Sequence, residues 1–94
     1  MKNSRLFFRA HAIQRMVERG IPLKKVRQIW QAGETIEDYS TAMPEPGRLI
    51  LGFQGSRPIH VVVSEDPEAN EIVVITVYVP DSDKWKPGFR ARKS

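Results

Sequence analysis

Glu71-Ile72-Val73-Val74-Ile75-Thr76-Val77-Tyr78-Val79 is the stretch on which the fold turns. β-Branched residues crowd it, which favours a pleated, extended backbone over a helix. Successive side chains of a strand point to opposite faces, so Val73, Ile75, Val77 and Val79 share one face and Ile72, Val74, Thr76 and Tyr78 the other. Pro58 to Ser64 divides in the same way, with Ile59, Val61 and Val63 opposed to His60, Val62 and Ser64. Between the two lies Glu65-Asp66-Pro67-Glu68-Ala69-Asn70, whose residue types suit a turn. A hairpin closing near residues 67 and 68 sets His60 roughly opposite Ile75 to Tyr78. Its wholly apolar face is the expected floor for the helices, and its other face presents His60, Thr76 and Tyr78.

Outward from this hairpin, Thr35 to Tyr39 and Arg48 to Phe53 also read as strands. They are bounded by the turns Pro44-Glu45-Pro46-Gly47 and Gln54-Gly55-Ser56. Connections this short join neighbours, which gives an antiparallel meander of four strands. Nearer the N-terminus the period changes. Ala12, Ile13, Met16 and Val17 fall on one arc of a helix from Arg9 to Arg19 that Gly20 stops. Pro22 suits the first turn of a second helix, with Leu23, Val26, Ile29 and Trp30 at helical spacing before Gly33. The expected architecture is α+β, a helical hairpin packed on a four-stranded antiparallel sheet in the order ααββββ. Residues 1–80 form this single domain. A basic C-terminal tail, residues 81–94, contains Pro87 and Gly88 without periodicity, and reads as either disordered or a partner-binding arm.

A chain of 94 residues supports one compact core and a shallow site, not two domains. The absence of cysteine excludes a disulfide framework, a thiolate nucleophile and a cysteine zinc site, and fits a reducing compartment. Ile72 to Val79, the longest apolar stretch, is interrupted by Thr76 and falls far short of a bilayer span. The N-terminus shows no apolar secretion signal, so the expected location is the cytoplasm, with no membrane partner. The net charge of +4 is unevenly spread. Residues 1–33 carry eight Lys and Arg against Glu18, residues 34–80 carry Arg48 and Arg57 against eight carboxylates, and residues 81–94 carry five cations against Asp81 and Asp83. A basic face interleaved with Trp85 and Phe89 suits a polyanion such as RNA, and equally describes a solvated helix surface and a frayed tail.

The candidates for chemistry are few. On a helix His11, Arg15 and Glu18 lie within one narrow arc. An imidazole held by Glu18 beside a guanidinium can bind phosphate and move a proton near neutral pH, and the same residues also make an ordinary surface ion pair. His60 with Tyr78, beside Arg48 or Arg57, would supply an acid, a base and a cation for RNA cleavage by the 2′-hydroxyl; it also reads as a half-buried, hydrogen-bonded histidine. There is no Gly-rich phosphate loop, no zinc-type histidine pair and no serine nucleophile elbow, so neither metal nor cofactor is expected. Glu37 and Asp38, adjacent on a strand, point apart and cannot share a substrate. Trp85 either stacks on a base or packs the tail onto the sheet.

His11-Ala12, Arg15-Met16, Glu18-Arg19-Gly20-Ile21, Gly33-Glu34, Ile36-Glu37 and Tyr39 form one set of strings. A second set is Pro58-Ile59-His60-Val61-Val62, Ile75-Thr76-Val77-Tyr78, Pro80-Asp81 and Trp85. Together they resemble a family of small prokaryotic proteins catalogued as a domain of unknown function, often encoded beside a zinc-finger antitoxin-like gene. The helical hairpin ahead of an antiparallel sheet is similar in turn to the RelE and BrnT toxins, a likeness of fold that does not fix function. The resemblance implies a toxin that cleaves mRNA, on the ribosome or free of it, and that a cognate antitoxin neutralises. The likeness to these toxins identifies no single base, but the resemblance favours the functional readings of His11 and His60, with His60 as general base or acid, Tyr78 as a second proton-transfer or stacking group and His11 as the alternative base. Arg15, Arg19, Arg48, Thr76, Trp85 and Arg90 fall on the RNA side. The alternatives are a non-catalytic nucleic-acid or ribosome-binding module and an adaptor that uses an exposed strand edge.

Overall fold

Strand-type alternation organises five segments rather than four. The computed structural model describes residues 5–39, 46–66 and 68–94. Its elements are β1 (Arg5–Phe8), α1 (Ala10–Arg19), α2 (Leu23–Ala32), β2 (Glu34–Tyr39), β3 (Gly47–Gln54), β4 (Arg57–Asp66) and β5 (Glu71–Tyr78). The sheet runs β1-β5-β4-β3-β2. β2 to β5 form an antiparallel meander, and β1 adds to the outer edge of β5 in parallel, from Arg5 beside Glu71 to Phe8 beside Val74. The expected four-stranded antiparallel sheet in the order ααββββ is thus corrected to a five-stranded mixed sheet in the order βααββββ. The fold remains α+β. Arg5-Leu6-Phe7-Phe8 is too short to announce a period of two, yet Leu6 and Phe8 pack against the core while Arg5 and Phe7 face outward. Everything between β1 and β5 serves as the long crossover that a parallel pair requires.

Local chemistry explains most element ends. Gly20, at φ 65°, takes the left-handed conformation that closes α1, with its N–H donating to the Val17 carbonyl and that of Ile21 to Met16. Gln54 and Arg57 donate to the Gly20 and Arg19 carbonyls, tying this helix end to the β3–β4 hairpin. Pro22 is the N-cap of α2, one residue before the expected first turn. Gly55, at φ 62°, turns that hairpin between the paired Gln54 and Arg57. Asp66 Oδ1 accepts from the Glu68 and Ala69 N–H groups in the next loop. Pro44, Glu45 and Pro67, which belong to expected turns, lie outside the described residues.

The helices cover one face of the sheet. Ala12 and Met16 of α1 and Val26, Ile29 and Trp30 of α2 pack on Ile50, Ile59, Val61, Val63, Ile72, Val74 and Val77. That set of β5 residues changes parity, because a bulge interrupts the β4–β5 register between Val62 and Val63. Val63 faces Val74, but Val62 faces Thr76, leaving Ile75 as the extra residue. The expected apolar face of Val73, Ile75, Val77 and Val79 is therefore split: Ile72 and Val74 serve the core before the bulge, and Val77 with Val79 after it.

Close approach of α2 to β3 depends on Gly52. A Cβ there would lie 2.4 Å from Ile29 Cγ1 and 2.7 Å from its Cγ2. Gly52→Ala is expected to cost about 1–3 kcal/mol through overpacking. The check is a lower urea midpoint at unchanged slope; an unchanged midpoint would mean that Ile29 yields without cost.

Candidate functional site

β1 accompanies β5 only as far as Val74, so among the described residues the edge from Thr76 to Tyr78 has no strand partner. The chain leaves β1, donates the Arg9 N–H to the Val74 carbonyl at 3.1 Å, and enters α1, which lies along β5. Ala12 and Met16 form the buried seam of α1. The next arc of the helix carries His11, Arg15 and Arg19, a turn apart from one another. Those three side chains and Thr76, Val77, Tyr78 and Val79 line a groove of about 280 Å³. No carboxylate lines it, so two guanidinium groups beside an imidazole give it a positive potential suited to an anion. Glu18 is engaged by Arg15 at 3.1 Å and by Gln14 at 3.4 Å. Of the two readings of His11, Arg15 and Glu18, the structure shows the ordinary surface pair, with Glu18 bonded to Arg15 rather than to His11.

His60 stands elsewhere. It is fully buried on the opposite face of the sheet, paired across from Tyr78. Its Nε2 lies 3.0 Å from the Phe89 carbonyl oxygen and its Nδ1 3.2 Å from the Tyr78 hydroxyl. A carbonyl only accepts, which places the ring hydrogen on Nε2 and makes Nδ1 the acceptor of the Tyr78 O–H. Trp85 meets the imidazole edge-on at 4.4 Å and Tyr78 at 5.2 Å. Burial pushes the His60 pKa below its ordinary 6.5 against the opposing pull of the Phe89 carbonyl, and burial raises that of Tyr78. Both are neutral at pH 7. With no exposed surface and both nitrogens engaged, His60 does not touch a substrate in this conformation; it positions the Tyr78 hydroxyl, whose residue also lines the groove.

Residues 81–94 cover this second face. Trp85 is buried and bridges to Arg92, while Lys86 N–H bonds the Ala91 carbonyl and Lys93 N–H that of Lys84. Gly88 and Phe89, at φ 91° and 60°, make the intervening turn and aim the Phe89 carbonyl at His60. Arg92 pairs with Glu37 at 2.8 Å and lies 4.6 Å over the Trp85 ring; Arg90 pairs with Glu34 at 2.7 Å. Arg92 holds the Glu37 carboxyl below the usual carboxylate range. The basic tail thus meets the acidic strand β2, and Trp85 and Arg90 contribute to folding rather than to the groove. Arg48 also lies outside it: its guanidinium grips Glu65 twice at 2.9 Å and Thr35 at 2.6 Å, and Glu65 accepts the Trp30 indole N–H at 3.0 Å.

The structure therefore unites His11, Arg15, Arg19, Thr76 and Tyr78, and separates from them His60, Arg48, Trp85 and Arg90. Glu37, Phe89 and Arg92, which anchor the tail, escape a sequence reading; the opposite charges of β2 and the tail were their only signal.

The pH dependence of stability has two windows. His60 is neutral in the fold at a pKa below its unfolded value, so the unfolded chain binds the extra proton. Stability is expected to be full above the ordinary histidine pKa and to fall as pH drops through it. Glu37 and Glu65, both held down by arginines, add a loss only below the ordinary carboxylate range. Urea titrations between pH 8 and about 5 check the first window; a flat profile there for the wild type would contradict the buried neutral imidazole.

Among the described residues, no three of His, Asp and Glu stand together to hold a metal ion, and no helix is long and apolar enough to cross a membrane. No curated protein and no solved structure matches the chain. The sequence pattern of one family does match, over residues 8–79, which takes in α1, the β5 edge and His60 and stops short of the tail. On that match the chain belongs to the family described as a domain of unknown function, DUF4258.

Proposed function

We propose that the chain is a metal-independent endoribonuclease that binds a phosphodiester in the groove between α1 and the edge of β5, and that it acts in the cytoplasm as the toxin of a toxin–antitoxin pair. The supporting observation is the convergence of His11, Arg15 and Arg19 with Thr76 and Tyr78 on one groove. In this reading His11 takes the proton of the 2′-hydroxyl, whose oxygen attacks phosphorus. The bond to the 5′-oxygen breaks, leaving a 2′,3′-cyclic phosphate and a 5′-hydroxyl end. Arg15 and Arg19 face the charge that develops on the phosphorane oxygens. The leaving oxygen takes its proton from solvent water, while the Tyr78 hydroxyl, bonded to His60 on the far face of the sheet, holds the edge of β5 in place.

One observation favours a second reading, a non-catalytic RNA or ribosome-binding module: Glu18 is held by Arg15 and Gln14, so it does not orient His11 as a base. Purified protein and end-labelled RNA in excess EDTA separate the two. Fragments ending in cyclic phosphate, and no cut at a 2′-deoxy position, are expected of the nuclease. Salt-sensitive binding with intact RNA would establish the module instead. Induced expression tests the toxin role, with growth arrest and mRNA fragmentation expected, relieved by a cognate antitoxin.

A further inference from the structure

The other flank of α1 is apolar and uncovered. Ile13 and Val17, one turn apart there, are 48% and 76% exposed, and Leu23 at the start of α2 is 52% exposed. With Phe8, Ile21 and Pro22 they line a trough of about 660 Å³. The sequence pattern counts Ile13 and Val17 as part of the buried stripe, yet the fold buries only Ala12 and Met16 of α1. Single exposed apolar side chains are ordinary, whereas a contiguous patch lining a groove marks a surface for a partner.

Two features define the occupant. Ile13 and Val17 form an i, i+4 ridge, the kind of row that packs into the grooves of another helix. The trough's own lining is uncharged, and at its α2 end Lys24 adjoins Leu23 and Arg27 stands one helical turn beyond it. A second copy of this chain would set the same excess of positive charge against itself. Like charges repel across an interface and opposite charges steer association, so complementarity selects an acidic partner.

We propose that this trough docks an acidic amphipathic helix of a partner protein, its apolar side chains seated on Ile13, Val17 and Leu23 and its carboxylates toward Lys24 and Arg27 of α2. The groove of His11, Arg15 and Arg19 lies on the opposite flank of α1, so the inference stands independently of the ribonuclease reading.

The test is a displayed library of peptides about five helical turns long, with Leu at helical spacing and Glu, Lys, Gln or Ala elsewhere, selected on the full chain. Enrichment of Glu-rich helices is expected. Their affinity should fall by about tenfold or more on Val17→Glu and on Leu23→Ser, as for a central apolar anchor. Val17→Glu should keep the wild-type circular dichroism and melting temperature, because Val17 is exposed. No enrichment, enrichment of Lys-rich helices, or binding indifferent to both substitutions would overturn the proposal. So would a sedimentation profile showing a concentration-dependent dimer that Val17→Glu abolishes, which would assign the trough to a second copy.

Discussion

His11→Ala is expected to lower the rate of RNA cleavage by about 10²–10⁴-fold, the usual contribution of a positioned general base. His11 is exposed on α1, so its removal should leave the urea midpoint of unfolding unchanged within about 0.5 kcal/mol. That combination separates chemistry from folding. Tyr78→Phe behaves differently: it keeps the ring against His60 but withdraws the hydroxyl that Nδ1 accepts from. It should lower stability by about 1–3 kcal/mol for a buried acceptor left without a donor, with cleavage changed far less than by His11→Ala. Arg15→Ala should weaken RNA binding and make its salt dependence shallower. A His11→Ala protein that cuts at the wild-type rate would remove the groove from the chemistry.

Trp85→Ala should destabilise the fold by about 3–5 kcal/mol, the cost of emptying a buried indole site. The side chain is only 4% exposed, against the His60 ring. For a domain of this size the total stability is about 5–15 kcal/mol, and each kcal/mol moves the melting temperature by about 4–8 °C. A fall of about 12 °C or more is therefore expected in a thermal melt. Arg92→Ala should cost far less: its pair with Glu37 is mostly exposed on the arginine side, and such pairs contribute about 0–1 kcal/mol. Its place over the Trp85 ring adds about 0.5–1 kcal/mol. If Trp85→Ala melted like the wild type, residues 81–94 would be a dispensable cover rather than part of the fold. The acid sensitivity of the Trp85→Ala protein carries a second reading, because water reaching His60 would restore its ordinary titration and shrink the stability change near the histidine pKa.

The helical hairpin and the four-stranded meander could be read along the chain because each rests on local signals. Helical spacing ends at Gly20 and Gly33, strand alternation runs between turn residues, and short loops leave neighbours no choice but to pair. Gly33 shows how a correct stop can have another cause: its backbone is extended at φ −75°. Glycine is needed there because a Cβ would meet the Ile29 carbonyl oxygen at 2.5 Å and Leu51 O at 2.7 Å. The two helices were placed correctly, but the rotation of α1 was not. Ala12, Ile13, Met16 and Val17 form one apolar arc in the sequence, and the sheet takes only its Ala12 and Met16 side. That choice moves His11, Arg15 and Arg19 against the β5 edge and turns Ile13 and Val17 outward.

The candidate site shows the same division. Residue chemistry and family strings were enough to select His11, Arg15, Arg19, Thr76, Tyr78 and His60 as the side chains worth locating, since those types and spacings are written in the chain. Which of them meet was decided by contacts between distant segments. Continuing the register of Asp66 with Glu71 unbroken would set His60 against Val77; the bulge at Ile75 sets it against Tyr78 and sends Val77 to the core. A bulge follows from fitting both faces of a strand at once, and no local pattern reports that fit. β1 and the tail are likewise products of tertiary context. Four residues of alternation become a strand because β5 offers an open edge. An aperiodic tail becomes ordered because Trp85 finds His60 and because Arg90 and Arg92 find the acidic strand β2. Periodicity and turn chemistry act between near neighbours, so they determined the elements; burial on both faces of one sheet acts between residues far apart in the chain, and it alone decided which histidine is sealed and which faces the groove.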